Sequence, residues 1–293
     1  MEFDNEECYN YVTINETDNP VIPSSDVTII LMMEGSTRFK NDPFILSLSK
    51  KTIIQYNKGY RNCVKDEDVT ATTSDITHSY FTAFYYLRKY NNVIILEEDA
   101  EMYSKDLDDY ALVNNFIENE DFNVFTFGSS AIFNKYKPDV YEGDIYSLNG
   151  YTFTQAQMFT KKCRQKLYKT IGEKRFQGDI DADYISKLDK LYSYKNPLIV
   201  QLFPQTENKS NWGGTTVIGK LGTVPMKALM LFAELDKDTN GWETIYAYNK
   251  CKQYIDFLVN FIFLSVLIIL ISKLLNIKFP RKLFKKTFRN YRK

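Results

Sequence analysis

The sequence predicts an α/β fold, a sheet with helices on both faces, and three observations carry it. Val27 to Met33 is an apolar run of strand length that opens into the polar loop Glu34-Gly35-Ser36-Thr37-Arg38. Val93-Ile94-Ile95-Leu96 is a short, wholly apolar run, the pattern of a strand buried on both faces. Between and beyond these, strand-like and helix-like segments alternate, which favours layered helices and sheet over an all-helical or all-strand chain.

Taken in order, residues 1–25 are polar and end in Pro20-Val21-Ile22-Pro23, so they read as a leader to the domain. Asn41 to Lys50 is compatible with a helix, and Thr52 to Tyr56 with a strand ended by Asn57-Lys58-Gly59. Phe81, Phe84, Tyr85 and Leu87 recur at helical spacing within Thr77 to Tyr90, and Asn91-Asn92 breaks the pattern. Residues 106–119 predict another helix and Asn123 to Phe127 another strand. Tyr151 to Met158 alternates as a strand, and Lys161 to Ile171 reads as a helix ended by Gly172.

The chain has 293 residues, 44% of them hydrophobic, enough to bury a substantial core. Lys+Arg and Asp+Glu both number 37, but nine basic residues fall between Lys273 and Lys293 with no acid among them. The stretch before them therefore holds 28 basic against 37 acidic residues. An acidic body argues against broad nucleic-acid binding, because phosphate contact needs a basic face on the folded domain. Cys8, Cys63, Cys163 and Cys251 stand far apart with no Cys-x-x-Cys pair, and they read as reduced thiols in a cytosolic setting. The single histidine, His78, excludes a multi-histidine metal site.

Phe257 to Ser272 is a run of 16 residues without a charge. Extended from Tyr254 to Asn276, a helix at ~1.5 Å per residue reaches about 34 Å, enough to cross a ~30 Å hydrocarbon core. The basic run behind it suits anionic headgroups better than a protein interior. The expected organisation is a leader (1–25), a catalytic domain (26–235), a connector (236–253), a transmembrane helix (254–276) and a basic tail (277–293). Basic residues after the helix predict a cytosolic C-terminus and a lumenal body. The N-terminus without a signal peptide and the unpaired cysteines favour the opposite, a cytosolic body, which is the orientation expected here.

Glu97-Glu98-Asp99 follows Leu96 directly, at a strand end, where open α/β sheets bind ligands. In extended backbone, residues two apart project to the same side, so Glu97 and Asp99 can approach one cation while Glu98 points elsewhere. Oxygen ligands without sulfur or imidazole suit Mg2+ or Mn2+. The competing reading is an acidic turn that caps the next helix.

Thr77-His78-Ser79-Tyr80-Phe81 through Val93-Ile94-Ile95-Leu96-Glu97-Glu98-Asp99-Ala100 resembles the Ser-His helix and the Leu-Glu-Asp-Asp-(Ala/Val) strand end of glycosyltransferase family 25, which includes lipopolysaccharide and collagen sugar transferases. Further segments follow in the same order. Ile29-Ile30-Leu31 with Arg38 is similar to the family's opening strand, and Phe125-Thr126-Phe127-Gly128 to the strand ending in Leu-Gly. Gly178-Asp179-Ile180-Asp181-Ala182-Asp183 resembles the Pro-(Ile/Val)-Asp segment, and Pro197-Leu198-Ile199-Val200-Gln201 the Pro-x-(Ile/Val)-x-Gln element, with Ser210 beyond. Two departures stand out: Thr77 takes the serine position without the preceding Gly and Cys, and Glu98 replaces the middle Asp.

The resemblance implies a nucleotide-sugar-binding GT-A-like fold with a central mixed sheet flanked by helices. It implies an inverting, metal-dependent transfer of a hexose from a UDP-sugar to a hydroxyl acceptor on a glycan, protein or lipid. Mn2+ or Mg2+ would sit at Glu97 and Asp99, with Arg38, His78 and Glu98 on the donor side. Asp179, Asp181 and Asp183 alternate, so extended backbone would place their carboxylates together. Asp181, with Asp183 in reserve, is the expected general base on the acceptor hydroxyl; an acidic loop capping a helix at Asp183 is the alternative. For His78 the alternative is a ring bonded near a helix start without a catalytic part. A membrane-anchored scaffold with a degenerate transferase fold is the alternative for the whole chain.

Asp236-Lys237-Asp238-Thr239-Asn240-Gly241 imitates half an EF-hand loop but has Ala247 where a bidentate Glu belongs, so it reads as a turn. Asn15-Glu16-Thr17 and Asn208-Lys209-Ser210 fit the N-glycosylation pattern.

Overall fold

Val27–Met33 forms β2 and Asn92–Glu97 forms β4, and both are buried along nearly their whole length. Lys51–Asn57, here β3, joins them through helical connections, and the three strands run parallel, β3 beside β2 and β2 beside β4. A computed structural model describes residues 7–128, 139–148, 155–174 and 176–202, with isolated positions beyond. The chain divides into two units, Met1–Ile245 and Tyr246–Lys293, and every strand of the sheet belongs to the first. The expected transmembrane segment 254–276, the basic tail, the half EF-hand turn and the Asn208 motif lie outside the described residues. Among the described residues no helix is long and apolar enough to cross a membrane.

The remaining elements are β1 (Tyr9–Glu16), α1 (Pro43–Leu46), α2 (Thr72–Tyr86), β5 (Ala100–Met102), α3 (Leu107–Asn119), β6 (Val124–Thr126), β7 (Asp139–Glu142), β8 (Ile145–Leu148), β9 (Ala156–Thr160), α4 (Lys161–Lys174), β10 (Leu191–Tyr194) and β11 (Ile199–Gln201). Nine strands make one mixed sheet in the order β1-β3-β2-β4-β9-β6-β10-β8-β7. Within it β9 runs antiparallel between β4 and β6, and β10 runs parallel to β6. β5 and β11 pair separately as a small antiparallel sheet.

Successive side chains on a strand point to opposite faces, and each face here has its own core. Val27, Ile29, Val93, Ile95, Val124 and Phe159 pack against Phe81, Phe84 and Leu87, at and just beyond the end of α2, and against Leu167 of α4. Ile30, Ile94, Leu96, Phe125 and Met158 pack against Ile45 of α1 and Tyr110, Val113 and Phe116 of α3. The expected large central mixed sheet with helices on both faces is therefore present. Arg164 of α4 is fully buried, with its guanidinium donating to the carbonyls of Leu87, Tyr90 and Asn91, at and beyond the end of α2, and of Phe159 in β9. Leu87 is the C-cap of α2, one of the carbonyls that a helix end leaves without an intrahelical partner.

Three expectations are corrected. The polar leader contains β1, which pairs antiparallel with β3 at the edge of the sheet. Cys8 and Cys63 are joined in a disulfide with their Cα atoms 5.6 Å apart, so they are not reduced thiols. Cys163 alone matches that reading among the described residues, and burial pushes its thiol up to about 12. Helix α4 also runs past Gly172 to Lys174.

Candidate functional site

Glu97 closes the central strand β4, and Glu98-Asp99 turn the chain into β5. The three carboxylates part company there. Glu98 turns inward: it is almost buried, Arg38 Nη2 lies 2.7 Å from its Oε1, and the Met33 backbone N–H donates to its Oε2 at 3.1 Å. It thereby ties the end of β2 and the following loop to the end of β4. Arg38 has five N–H donors in a planar fork, and its side chain remains 40% exposed, so it can serve an anion while holding Glu98.

Asp99 lies beside that pair. Its Oδ2 accepts from Gln201 Nε2 of β11 at 3.1 Å, and its backbone carbonyl accepts from Leu202 N at 3.1 Å. Its Oδ1 is buried with no hydrogen-bond partner. Burial pushes the carboxyl up to about 6. The Glu98 charge adds to the shift, while the Gln201 hydrogen bond and the Arg38 charge oppose it. Glu97 turns toward α2 and accepts from the Tyr80 hydroxyl at 3.2 Å.

His78 sits in the core rather than at the open corner, 2% exposed, with Nδ1 within 2.8 Å of the Tyr9 hydroxyl and its ring 4.4 Å from that of Phe176. Burial and the nearby Lys65 charge hold it down at about 3, so the ring is neutral over the physiological range. Next to it lies a closed polar network: Lys65 Nζ pairs with Asp75 Oδ1, and Asn57 Nδ2 donates to Ser79 Oγ at 2.8 Å. The Cys8–Cys63 disulfide adjoins this network in sequence on both sides, at Tyr9 and Lys65.

The aspartate run is not extended. Residues 180–184 make a single helical turn whose N-cap is Asp179, with Oδ1 accepting from Asp181 N at 2.8 Å and Ala182 N at 3.3 Å. Asp183 Oδ2 accepts from Asp179 N at 3.0 Å, and its Oδ1 lies 3.3 Å from Lys187 Nζ. Capping thus comes from Asp179 instead of Asp183. Gly178 has φ +107°, and a Cβ there would run into the Asp183 carboxylate. Thr77 Oγ1 donates to Gly178 O at 3.1 Å, three residues before Tyr80 reaches Glu97. Residues three apart share a helix face, so α2 brings the aspartate turn and the strand-end acids to one side of itself.

The residue missed by sequence reasoning is Gln201. It closes a segment recognisable only as a pattern; its role needs the pairing of β11 with β5, which places Gln201 opposite Ala100. Gly128, at the end of another such segment, meets the same strand: a Cβ there would collide with the Ile199 carbonyl oxygen.

Among the described residues no three His, Cys, Asp or Glu side chains form a complete cation cage. A Mg2+-type ion that also binds phosphates needs only one or two protein carboxylates. The unpartnered buried Oδ1 of Asp99 and the oxygen-only donor set fit such an ion, with Asp99 the better placed ligand.

No family model and no curated protein matches the chain. Several solved structures resemble it weakly. A protein from STIV is 14% identical with a TM-score of 0.36, covering 59% of this chain and 83% of its own. A UDP-glucose pyrophosphorylase complexed with UDP-glucose is 10% identical at a TM-score of 0.36, covering 59% and 73%. A glycosyltransferase involved in glycosylation of the major capsid of PBCV-1 is 9% identical at 0.35, covering 63% and 96%. At this level of likeness the neighbours' activities carry no weight for this chain, whose own geometry is that of a mixed α/β sheet with an acidic corner at a strand end.

Proposed function

We propose that the chain is a glycosyltransferase of the family 25 kind, moving a hexose from a UDP-sugar to a hydroxyl acceptor. The observation that carries this reading is Asp99: a carboxylate at the end of a central strand, with one buried oxygen unpartnered and Arg38 alongside. Arg38 would hold donor phosphate and Asp99 would hold Mn2+ or Mg2+; Glu97, expected as the second ligand, turns instead toward Tyr80 of α2 and is the weaker candidate. The ion supplies charge neutralisation on the departing diphosphate. Asp181 would take the proton from the acceptor hydroxyl as that oxygen displaces UDP at the anomeric carbon, with inversion. Asp183 is the weaker candidate, since both its oxygens are engaged. His78 supports the wall behind the site instead of touching the donor.

Purified protein incubated with UDP-sugars and Mn2+ should release UDP, and Asp99→Asn should abolish the release. Undiminished turnover in that variant removes the site. A second reading, a binding scaffold with a degenerate transferase fold, is favoured by the commitment of Asp179 and Asp183 to backbone caps. It predicts no metal-dependent UDP binding in calorimetry.

We further propose that segment 254–276 anchors the chain in a membrane. The Cys8–Cys63 disulfide supports a body on the oxidising side, with the basic tail in the cytosol, which reverses the orientation expected from unpaired thiols. Protease protection of a tagged N-terminus in sealed vesicles tests it: complete digestion would rule it out.

A further inference from the structure

On the sheet face covered by α2 and α4, strand register lays side chains out in rows. Val93, Phe159, Val124 and Leu191 stand opposite one another, all buried and apolar. One step toward the strand ends that carry Glu97, the row becomes Ile95, Gln157, Thr126 and Ser193, still buried. The next step brings Gln155 level with Glu97, whose N–H donates to the Gln155 carbonyl at 2.9 Å. A row in the middle of an apolar face thus turns polar as it nears the acidic corner.

The two glutamines are the anomaly. Gln157 is fully buried, and neither its Oε1 nor its Nε2 has a hydrogen-bond partner. Gln155 is 1% exposed; its Nε2 donates to Gly128 O, but its Oε1 has no partner. Gln157 lies on β9 and Gln155 immediately precedes the strand, two residues away. Tyr80 adjoins the row, with its ring against Phe159 and its hydroxyl on Glu97. Unsatisfied amides in a protein interior lower stability, and an apolar residue would fill this layer without that loss, so their retention calls for a use.

We propose that Gln155 and Gln157 read the hexose of the donor, as a subsite beneath the carboxylate corner. This rests on the reading of the chain as a UDP-hexose transferase. A side-chain amide offers a donor and an acceptor in one plane, and adjacent hydroxyls of a pyranose ring each donate and accept, so the two sets are complementary. Phosphate, an acceptor alone, would face the glutamine oxygens without a proton to share. Of the strand-end acids it is Glu97 that heads the row, with its N–H on the Gln155 carbonyl and its carboxylate on Tyr80 of α2, so a sugar held beside Glu97 would stand over the start of β9.

Calorimetry on the full chain with Mn2+ separates the possibilities, using UDP, UDP-glucose and UDP-galactose against wild type, Gln157→Met and Gln155→Met. Wild type should bind at least one UDP-hexose more tightly than UDP. Gln157→Met should keep UDP affinity and an equal or higher Tm, and lose about tenfold in affinity for that UDP-hexose. Should Gln157→Met fold poorly, Gln155→Met, at the entry to β9, carries the same expectation. Equal losses for UDP and UDP-hexose would assign the row to the nucleotide, and no loss would leave the amides to buried water; either overturns the proposal while the transferase reading stands. A wild type that binds no UDP in the presence of Mn2+ overturns both.

Discussion

Gln201 donates its side-chain amide to Asp99 Oδ2 at 3.1 Å, joining residues 102 positions apart. The bond fixes one oxygen of Asp99, while the other is buried without a hydrogen-bond partner. Gln201→Leu should weaken Mn2+-dependent UDP binding by roughly 10-fold to 100-fold, the usual effect of removing a group that orients a metal ligand. Calorimetry with and without Mn2+ checks this; an unchanged Mn2+ effect would separate Gln201 from the site.

The raised carboxyl of Asp99 makes stability depend on pH in a defined direction. Its folded-state value, about 6, lies above the ordinary 3.8, so the folded chain holds the proton more tightly than the unfolded chain. That contribution is fully present below about pH 3.8 and is lost as pH rises through about 6. Thermal unfolding of wild type and Asp99→Asn should therefore diverge across pH 4 to 6, by up to roughly 3 kcal/mol. Metal binding should strengthen over the same window as Asp99 ionises.

Breaking the Arg38–Glu98 pair should leave an almost buried carboxylate with the Met33 amide but without its cation. Because Arg38 is 40% exposed, the loss for Arg38→Ala should be about 1–2 kcal/mol, below that of a fully buried pair. Urea denaturation should show Glu98→Gln restoring part of it in the double variant.

Reduction of Cys8–Cys63 should be costlier. The bridge spans 55 residues, and the chain-entropy model gives about 4 kcal/mol for a loop of that size. Melting with and without reductant should show a lower Tm in reductant, and Cys63→Ser should melt there regardless of reductant.

Lys65 and Asp75 are both almost fully buried, and burial lowers the lysine. Lys65→Met should destabilise by about 3 kcal/mol or more, since it removes one partner of a buried ion pair and leaves the Asp75 carboxyl in place. Adding Asp75→Asn should recover much of that loss in urea denaturation.

Legibility in the sequence follows burial symmetry. The strands of Val27 to Met33 and Val93 to Leu96 are apolar on both faces and need no partner to be recognised. Strand β1, Tyr-Asn-Tyr-Val-Thr-Ile-Asn-Glu, is a half-exposed edge with a bulge between Thr13 and Asn15, and its alternation is too weak to separate from a polar leader. The acids at 97–99 could be placed at a strand end, but not their separate directions, because the chain leaves the extended conformation at Glu98. Asp179 to Asp183 failed for a related reason: alternating acids suit a strand, yet an Asp cap closes a helical turn as readily. Gln201 and the Cys8–Cys63 bridge depend on contacts far along the chain, which local pattern does not encode.

Helix α2 is held at two places, by Thr77 on Gly178 in its second turn and by Arg164 on the carbonyls at and past its end. A rod clamped in that manner can neither slide nor rotate without breaking buried bonds at one of the clamps. Tyr80, midway along, then works as a fixed gauge setting how far Glu97 stands from the helix. If the corner closes on a donor, α2 would be the stationary jaw, and the half-exposed Arg38 on the loop after β2 would be the part that shifts.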